Sequence, residues 1–324
     1  MRPEVYIVLV NFNGHADTQE CITSILKSRF VRYQIIVVDN STSPASLDAL
    51  ISWGRQSALD FSVLHERDLP QSAQPSERVV FIRALENRGF AAANNVALRW
   101  VARFGDYRYA WLLNNDCTIE PDTLSALIQS AAADAGVGIW GSKLLMYYRP
   151  DVLQGVGGLY NPWFGLVREI GAGEPDRGQW DSISFHLDYV IGASMFVTRG
   201  FMDEVGLMEE DYFLYYEELD WNLRGKEKDW RIGYCSAARV YHKMGASING
   251  PEKKGNSELA DFYSVRNRIL VTRRFFPYAL STLYPSFLKF ILNRIRLKQF
   301  GRIGMLFRIM LHPRKHYVFK GHKA

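Results

Sequence analysis

Cysteine is scarce: Cys21, Cys117 and Cys235 stand isolated along 324 residues. That spacing excludes a disulfide framework and a cysteine-rich zinc site, and it fits a reducing compartment. A leader pattern is missing too, since Met1-Arg2-Pro3-Glu4 runs straight into an apolar strand, and a cytoplasmic protein is expected. No Gly-x-Gly-x-x-Gly follows that strand, and no Gly-x-x-x-x-Gly-Lys-Ser/Thr occurs anywhere. The dinucleotide and P-loop ways of holding phosphate are therefore unsupported. Phe275 to Leu292 is apolar, but Pro277, Pro285 and Lys289 make it a poor membrane-spanning helix. The last absence is acid. Residues 266–324 hold 14 of the 39 Lys and Arg and none of the 34 Asp and Glu, leaving residues 1–265 at net −9 and the final 59 at net +14.

What is present is a core-forming chain, 48% hydrophobic, in which short apolar runs alternate with helical periodicity. Val5–Val10, Gln34–Asp39, Arg78–Ile82, Tyr109–Leu113 and Val137–Lys143 read as buried strands. Helices are expected over Asp17–Lys27, Ser46–Trp53, Phe90–Phe104 and Pro121–Ala133. Such alternation specifies an α/β domain with a mainly parallel open sheet flanked by helices. Right-handed crossovers bring the strand carboxyl ends to one edge, where ligands bind in this architecture. Four polar clusters converge there: Asn11 with Asn13, Asp39 with Asn40, Asn87, and Asn114-Asn115-Asp116. The last follows a fully apolar strand. It reads either as a strand-to-helix turn, because Glu120-Pro121-Asp122 comes next, or as a carboxylate placed to grip a divalent cation and a diphosphate.

Residues 150–188 are Gly-rich and read as surface hairpins and loops. Gly192-Ala193-Ser194 interrupts the apolar run Leu187–Thr198 with small residues that admit either a ligand or another backbone. Beyond it, Tyr212 to Trp221 packs Glu217, Glu218 and Asp220 among aromatics, and a helix runs from Asp220 to Lys228. Acids suit a helix N-terminus, but an apolar setting also lifts a carboxylate toward the range of a general base. A short strand, Arg231–Cys235, and Arg239-Val240-Tyr241-His242 follow.

Taken in order, Val8-Leu9-Val10-Asn11-Phe12-Asn13, Val37-Val38-Asp39-Asn40-Ser41, Asn87-Arg88-Gly89-Phe90-Ala91-Ala92-Ala93-Asn94, Leu112-Leu113-Asn114-Asn115-Asp116, Glu217-Glu218-Leu219-Asp220 and Ala238-Arg239-Val240-Tyr241-His242 resemble the family 2 glycosyltransferases, specifically their rhamnosyltransferase-like branch. The resemblance covers residues 4–250 and implies a GT-A fold. It implies a catalytic domain over 1–250, divided into a nucleotide-binding half (1–135) and an acceptor-binding half (136–250). It also implies inverting transfer of a sugar, first of all rhamnose from dTDP-rhamnose, from a nucleotide diphosphate donor. Asp39 matches the position that bonds the base, and Asn11, Asn13 and Asn87 match the nucleotide pocket, with Asn94 and Asn115 in the same motifs. Asp116 is the one carboxylate where the family has Asp-x-Asp; with His242 it would hold Mg2+ or Mn2+. Glu218 is chosen as the base and Glu217 as its acidic partner. Gly192, Ala193, Asp220 and Trp221 fall on the acceptor side.

One displacement at the anomeric carbon needs a carboxylate on one face and charge stabilisation on the other, and these two clusters offer both. The loop from Gly245 to Gly255 is either a lid or a plain surface loop.

In residues 251–324, basic residues alternate with apolar ones from Ile291 to Leu311. An amphipathic, basic helix of this kind lies on an anionic membrane surface. A helical cap or an oligomer interface would use the same pattern, while no recognition motif supports nucleic acid. A peripheral protein on the inner face of the plasma membrane, acting on a lipid-linked saccharide in bacterial cell-surface polysaccharide synthesis, is the expectation. A nucleotidyltransferase is the competing enzyme class, but Asn11-Phe12-Asn13-Gly14 lacks the basic loop it needs. A membrane scaffold with a degenerate transferase domain is the non-catalytic alternative.

Overall fold

The computed structural model describes residues 3–105, 107–182, 186–244 and 258–313. Its first half alternates strand and helix: β1 (Val5–Asn11), α1 (His15–Ile25), β2 (Tyr33–Asp39), α2 (Ala45–Gln56), β3 (Phe61–His65), β4 (Val79–Arg83), α3 (Phe90–Ala102), β5 (Tyr109–Leu113), β6 (Cys117–Ile119) and α4 (Thr123–Ala133). The second half holds β7 (Val137–Met146), β8 (Arg149–Gly155), β9 (Gly158–Asn161), β10 (Leu166–Glu169), β11 (Ser194–Thr198), α5 (Arg199–Val205), α6 (Glu217–Lys226) and β12 (Arg231–His242). Three helices close the described chain: α7 (Glu258–Phe275), α8 (Leu280–Arg296) and α9 (Phe300–Leu311).

One sheet organises the molecule, in the order β3-β4-β2-β1-β5-β11-β7-β12-β6, with β8 paired to β7. The pairs β1–β2, β1–β5, β2–β4, β3–β4 and β7–β12 are parallel, whereas β11 runs antiparallel to both β5 and β7. β1 shows why its run is unbroken by polar residues. Val5, Ile7 and Leu9 enter one core layer, and Tyr6 and Val8 enter the other. A strand covered on both faces has no solvent side to mark. Each such side chain contributes about 1.5–3 kcal/mol by burial, so a polar change at Val8 would break the layer.

The sequence reading missed β3, whose residues are half-exposed at the sheet edge and lack a buried run. β6 is also unanticipated, whereas residues 150–188, which read as surface hairpins and loops, hold most of β8, antiparallel to β7, and the antiparallel β9–β10 hairpin. The two short segments expected around Cys235 and His242 are one strand with a register shift between Cys235 and Arg239. β11 occupies only the last five residues of the Leu187–Thr198 run.

The C-terminal helices are tied to the sheet domain. Val271 of α7 joins the sheet core, and Tyr160 OH lies 3.1 Å from Thr272 Oγ1. α7, α8 and α9 share their own core through Val265, Ile269, Phe287 and Leu306. Asp261, the last acid of the chain, is fully buried and receives Arg294 of α8 and Arg302 of α9, each at 2.6 Å. Two guanidiniums on one buried carboxylate satisfy its charge, leave the cluster net positive, and tie three helices together. Residues 258–275 therefore pack against the sheet domain. The expected domain boundary at residue 250 and the Gly245–Gly255 loop lie outside the described residues. Among the described residues, no helix is long and apolar enough to cross a membrane.

Candidate active site

The adjacent ends of β1 and β2 pair Asn11 with Asp39. Asn11 Nδ2 donates to Asp39 Oδ1 at 2.6 Å and to Ser46 Oγ at 2.9 Å, while Ser41 Oγ donates to the same Asp39 oxygen at 2.7 Å. Burial raises the Asp39 carboxyl above its usual range, and the Ser41 and Asn11 donors work against that shift. Thr18 Oγ1 links Asn11 to Asn115, whose amide donates to it at 2.9 Å. Asn11, Asp39 and Asn115 thus form one buried network. Asn13 stands at its rim with φ 54°, its N–H bonded to Ser41 Oγ. Asn87 accepts from Asn40 Nδ2 at 2.8 Å and from the Gly89 N–H at 3.0 Å. Asn94 does not join them: its amide donates to Phe90 O one turn back in α3.

Gly89 has a structural reason to be glycine. Its φ is +92°, and a Cβ there would sit 2.2 Å from Phe213 O, which accepts the Phe90 N–H at 2.8 Å. The nucleotide-side loop is thereby pressed against the loop that carries the acidic pair.

At the end of β5, Asn114 N–H bonds Ala193 O, and the chain turns back as β6, antiparallel to β12. This return places Asp116 Oδ1 3.0 Å from His242 Nε2, both side chains being buried. Gln154 Oε1 of β8 lies 2.7 Å from His242 Nδ1. An amide oxygen only accepts, so with the amide in this orientation Nδ1 donates to it, and Nε2 is left to face Asp116, as a donor on a protonated ring or as a lone-pair ligand when a cation is held. A carboxylate oxygen facing an imidazole lone pair is a donor set that suits a divalent cation. Cys117 offers the third atom of this group, all within 4.8 Å of one another. Burial holds its thiol well above the usual range and Ala193 O accepts from it, so it stays protonated and is a poor ligand. Oxygen from Asp116 and nitrogen from His242 fit Mn2+, and Mg2+ less well. Lys243 braces the end of β12: its N–H bonds Asp116 O, and its ammonium meets Asp17 and Glu20 of α1, each at 2.6 Å.

The acidic pair is delivered by a strained loop. Phe213, Tyr215 and Tyr216 have φ of 63°, 69° and 73°, each costing about 1–3 kcal/mol. Asn267 of α7 compensates: it is fully buried, and its Nδ2 lies 2.8–2.9 Å from the carbonyls of Tyr212, Leu214 and Tyr215. α6 starts immediately, with Glu217 and Glu218 in its first turn. Burial, and then the charge of Glu218, hold the Glu217 carboxyl well above its usual range, and its Oε2 has no hydrogen-bond partner among the described residues. Burial also lifts Glu218, to about 7, and the nearby charge of Glu169 adds to the shift. A proton resting on Glu217 and a Glu218 that titrates near neutrality separate the roles of the two carboxylates.

Glu169, at the end of β10, was missed because its segment reads as irregular. Burial raises its carboxyl while the nearby His242 acts against that shift, and its own charge adds to the rise of Glu218. Gly192 is open toward Glu218, whose Cδ lies 3.8 Å from the position a Cβ would take; Ala193 instead braces Asn114.

Two residues expected on the acceptor side are structural. Asp220 is fully buried and bonded to Arg224 at 2.6 Å, Arg274 at 2.9 Å and Tyr212 OH at 3.0 Å. Trp221 is also fully buried, packs edge-on to Phe201 and donates to Gly206 O. The reason is helical geometry: Asp220 and Trp221 lie on core-facing sides of α6, while Glu218 is directed to the site.

Residues 6–145 match the family model described as Glycosyl transferase family 2. The low-salt glycan biosynthesis hexosyltransferase Agl10 of Haloferax volcanii is 20% identical over 297 residues, 90% of this chain and 83% of that protein. The dTDP-rhamnosyl transferase RfbF of Shigella flexneri is 20% identical over 280 residues, 85% of this chain and 81% of that protein. Among solved structures, GalNAc-T7 with UDP, GalNAc and Mn2+ superposes with TM-score 0.61 at 12% identity over 84% of this chain; the chain spans about half of that one, 48%. The mannosyltransferase PcManGT from Pyrobaculum calidifontis, in complex with GDP-Man and Mn2+, gives 0.55 at 13% identity, covering 97% of this chain and 82% of that one. The fold is GT-A.

Proposed function

We propose, from the premise that residues 6–145 are those of a family 2 glycosyltransferase on a GT-A fold, that this chain is an inverting, metal-dependent transferase. It moves a sugar from a nucleotide diphosphate to a hydroxyl of a lipid-linked glycan in bacterial cell-surface polysaccharide synthesis. The dTDP-rhamnosyl relative makes rhamnose from dTDP-rhamnose the first donor to test. One observation supports the reading: Ala193 O accepts the Asn114 N–H at the end of β5, two residues before Asp116, and the neighbouring Gly192 lies against Glu218, whose Cδ is 3.8 Å from the position a Cβ would take, so the cation-type pair and the acidic pair flank one short segment.

In this reading the Asn11–Asp39–Asn115 network holds the nucleoside and its phosphates. Asp116 and His242 would hold Mn2+ or Mg2+, which would supply charge neutralisation to the diphosphate. Glu218 takes the proton of the acceptor hydroxyl as its oxygen bonds the anomeric carbon and the bond from that carbon to the diphosphate oxygen breaks. Glu217 stays protonated, so no second charge opposes Glu218 before it accepts the proton. Gly192 brings its backbone close to Glu218 with no side chain between them. The lipid-linked acceptor makes this a protein of the inner face of the plasma membrane.

A thermal-shift screen of nucleotide sugars with Mn2+ or Mg2+ tests the donor part, since a ligand of the folded state raises its apparent stability. A rise with a dTDP-sugar that needs the cation supports the reading. No rise with any nucleotide sugar contradicts it.

A further inference from the structure

α8 is apolar on two faces, and only one is used. Leu283 and Phe287 enter the helical core, whereas Leu288, Leu292 and Ile295 are 60%, 55% and 44% exposed. With Tyr278 before the helix, 57% exposed, these residues recur at helical spacing and form one stripe. The stripe continues onto the β9–β10 hairpin: the Trp163 ring meets Tyr278 at 5.3 Å, and Thr282 Oγ1 donates to Trp163 O. Trp163 and Phe164 at that tip are 49% and 45% exposed.

The charges along the stripe have one sign. Lys289 and Arg296 lie beside it, exposed. No Asp or Glu occurs after Asp261, and Asp261 is sealed inside the bundle by Arg294 and Arg302. We infer that the stripe from Trp163 through Tyr278 to Ile295 is a docking surface for an anionic lipid bilayer, with α8 in the interfacial plane. Apolar side chains on one face with basic residues beside them are what such a surface binds. A second copy fits less well, because two-fold pairing of the stripe would bring like charges together.

The inference rests on the proposed lipid-linked acceptor for its purpose, and it gives that acceptor a route. β10 runs from exposed Leu166 to Glu169 at the site, a span of roughly 10 Å at strand rise. Docking through the hairpin and α8 would hold the catalytic pair within reach of a saccharide anchored in the same leaflet. Arg294 of α8 and Arg302 of α9 both hold Asp261, so deleting residues 291–324 would unseat that carboxylate as well as remove part of the surface.

Flotation of the full chain with phosphatidylcholine vesicles, with and without phosphatidylglycerol, tests this. Leu288→Ser/Leu292→Ser/Ile295→Ser, Lys289→Glu/Arg296→Glu and Trp163→Ser are compared with the parent, each checked for unchanged melting and solution mass. The parent should bind vesicles containing phosphatidylglycerol, and the stripe and charge variants should bind about tenfold or more weakly. Parent that ignores these vesicles, or variants that bind as well as it does, would overturn the inference. So would a dimer dissolved by the stripe variant, with no vesicle binding. Nucleotide-induced thermal shifts on the same proteins separate the two claims: vesicle binding without a nucleotide response sinks the transferase reading alone.

Discussion

Asn267 Nδ2 of α7 lies 2.8 Å from the carbonyl oxygen of Tyr215, two residues before the acidic pair. A helix from the basic C-terminal quarter thus holds the loop that aims Glu217 and Glu218. Asn267→Ala would remove this donor from the carbonyls of Tyr212, Leu214 and Tyr215, of which Tyr212 O keeps the Leu214 N–H. A loss of about 2 kcal/mol or more in urea unfolding is expected. Turnover should fall while nucleotide affinity, measured by calorimetry, stays near the parent value. Unchanged turnover would make Asn267 a fold residue only.

The pH dependence follows from the pair. Glu218 is lifted to about 7, so the rate of transfer should rise with pH through that region as the base ionises. Stability should move the other way. A carboxyl raised in the folded state contributes fully below its unfolded value, near 4.5, and that contribution is lost as pH climbs through the folded value. Glu217→Gln removes one such group, so it should melt higher than the parent at pH 8 and keep activity. A lower melting point at that pH would contradict the assignment of a resident proton.

Glu169 offers an independent check. Its charge helps to raise Glu218, so Glu169→Gln should move the acidic limb of the rate profile to lower pH. An unmoved limb with normal turnover would remove Glu169 from the site.

Gln154 sets the tautomer of His242 by accepting from Nδ1. Gln154→Leu should weaken Mn2+ binding about tenfold or more, as loss of a partner behind a metal-ligating imidazole does. Titration of the nucleotide-free protein, followed by the Mn2+ resonance signal, reads this without any turnover assay. Binding equal to the parent would place the cation elsewhere.

The strand ends were legible in the sequence because each follows a continuous apolar run with an abrupt polar stop, as Leu113 gives way to Asn114-Asn115-Asp116. Asn11, Asp39, Asn115 and Asp116 stand out that way; His242 follows no apolar run and comes from the family resemblance alone, and the fold puts it 3.0 Å from Asp116. Asp220 and Trp221 were misjudged because a motif gives neighbours in sequence, whereas a helix sends successive residues to different faces. Gln154 and Glu169 carried no signal: single polar residues on short strands in a Gly-rich stretch look like loop residues. Asn267 was hidden for another reason, since the charge of its segment suggested a lipid surface and masked a helix whose inner face clamps the catalytic loop.

Rates of sugar transfer by the parent and Glu218→Gln, with nucleotide affinity measured alongside, test the central claim most directly. The account expects Glu218→Gln to lose about a hundredfold or more in turnover, with affinity for the nucleotide diphosphate nearly unchanged. Normal transfer by Glu218→Gln would contradict it.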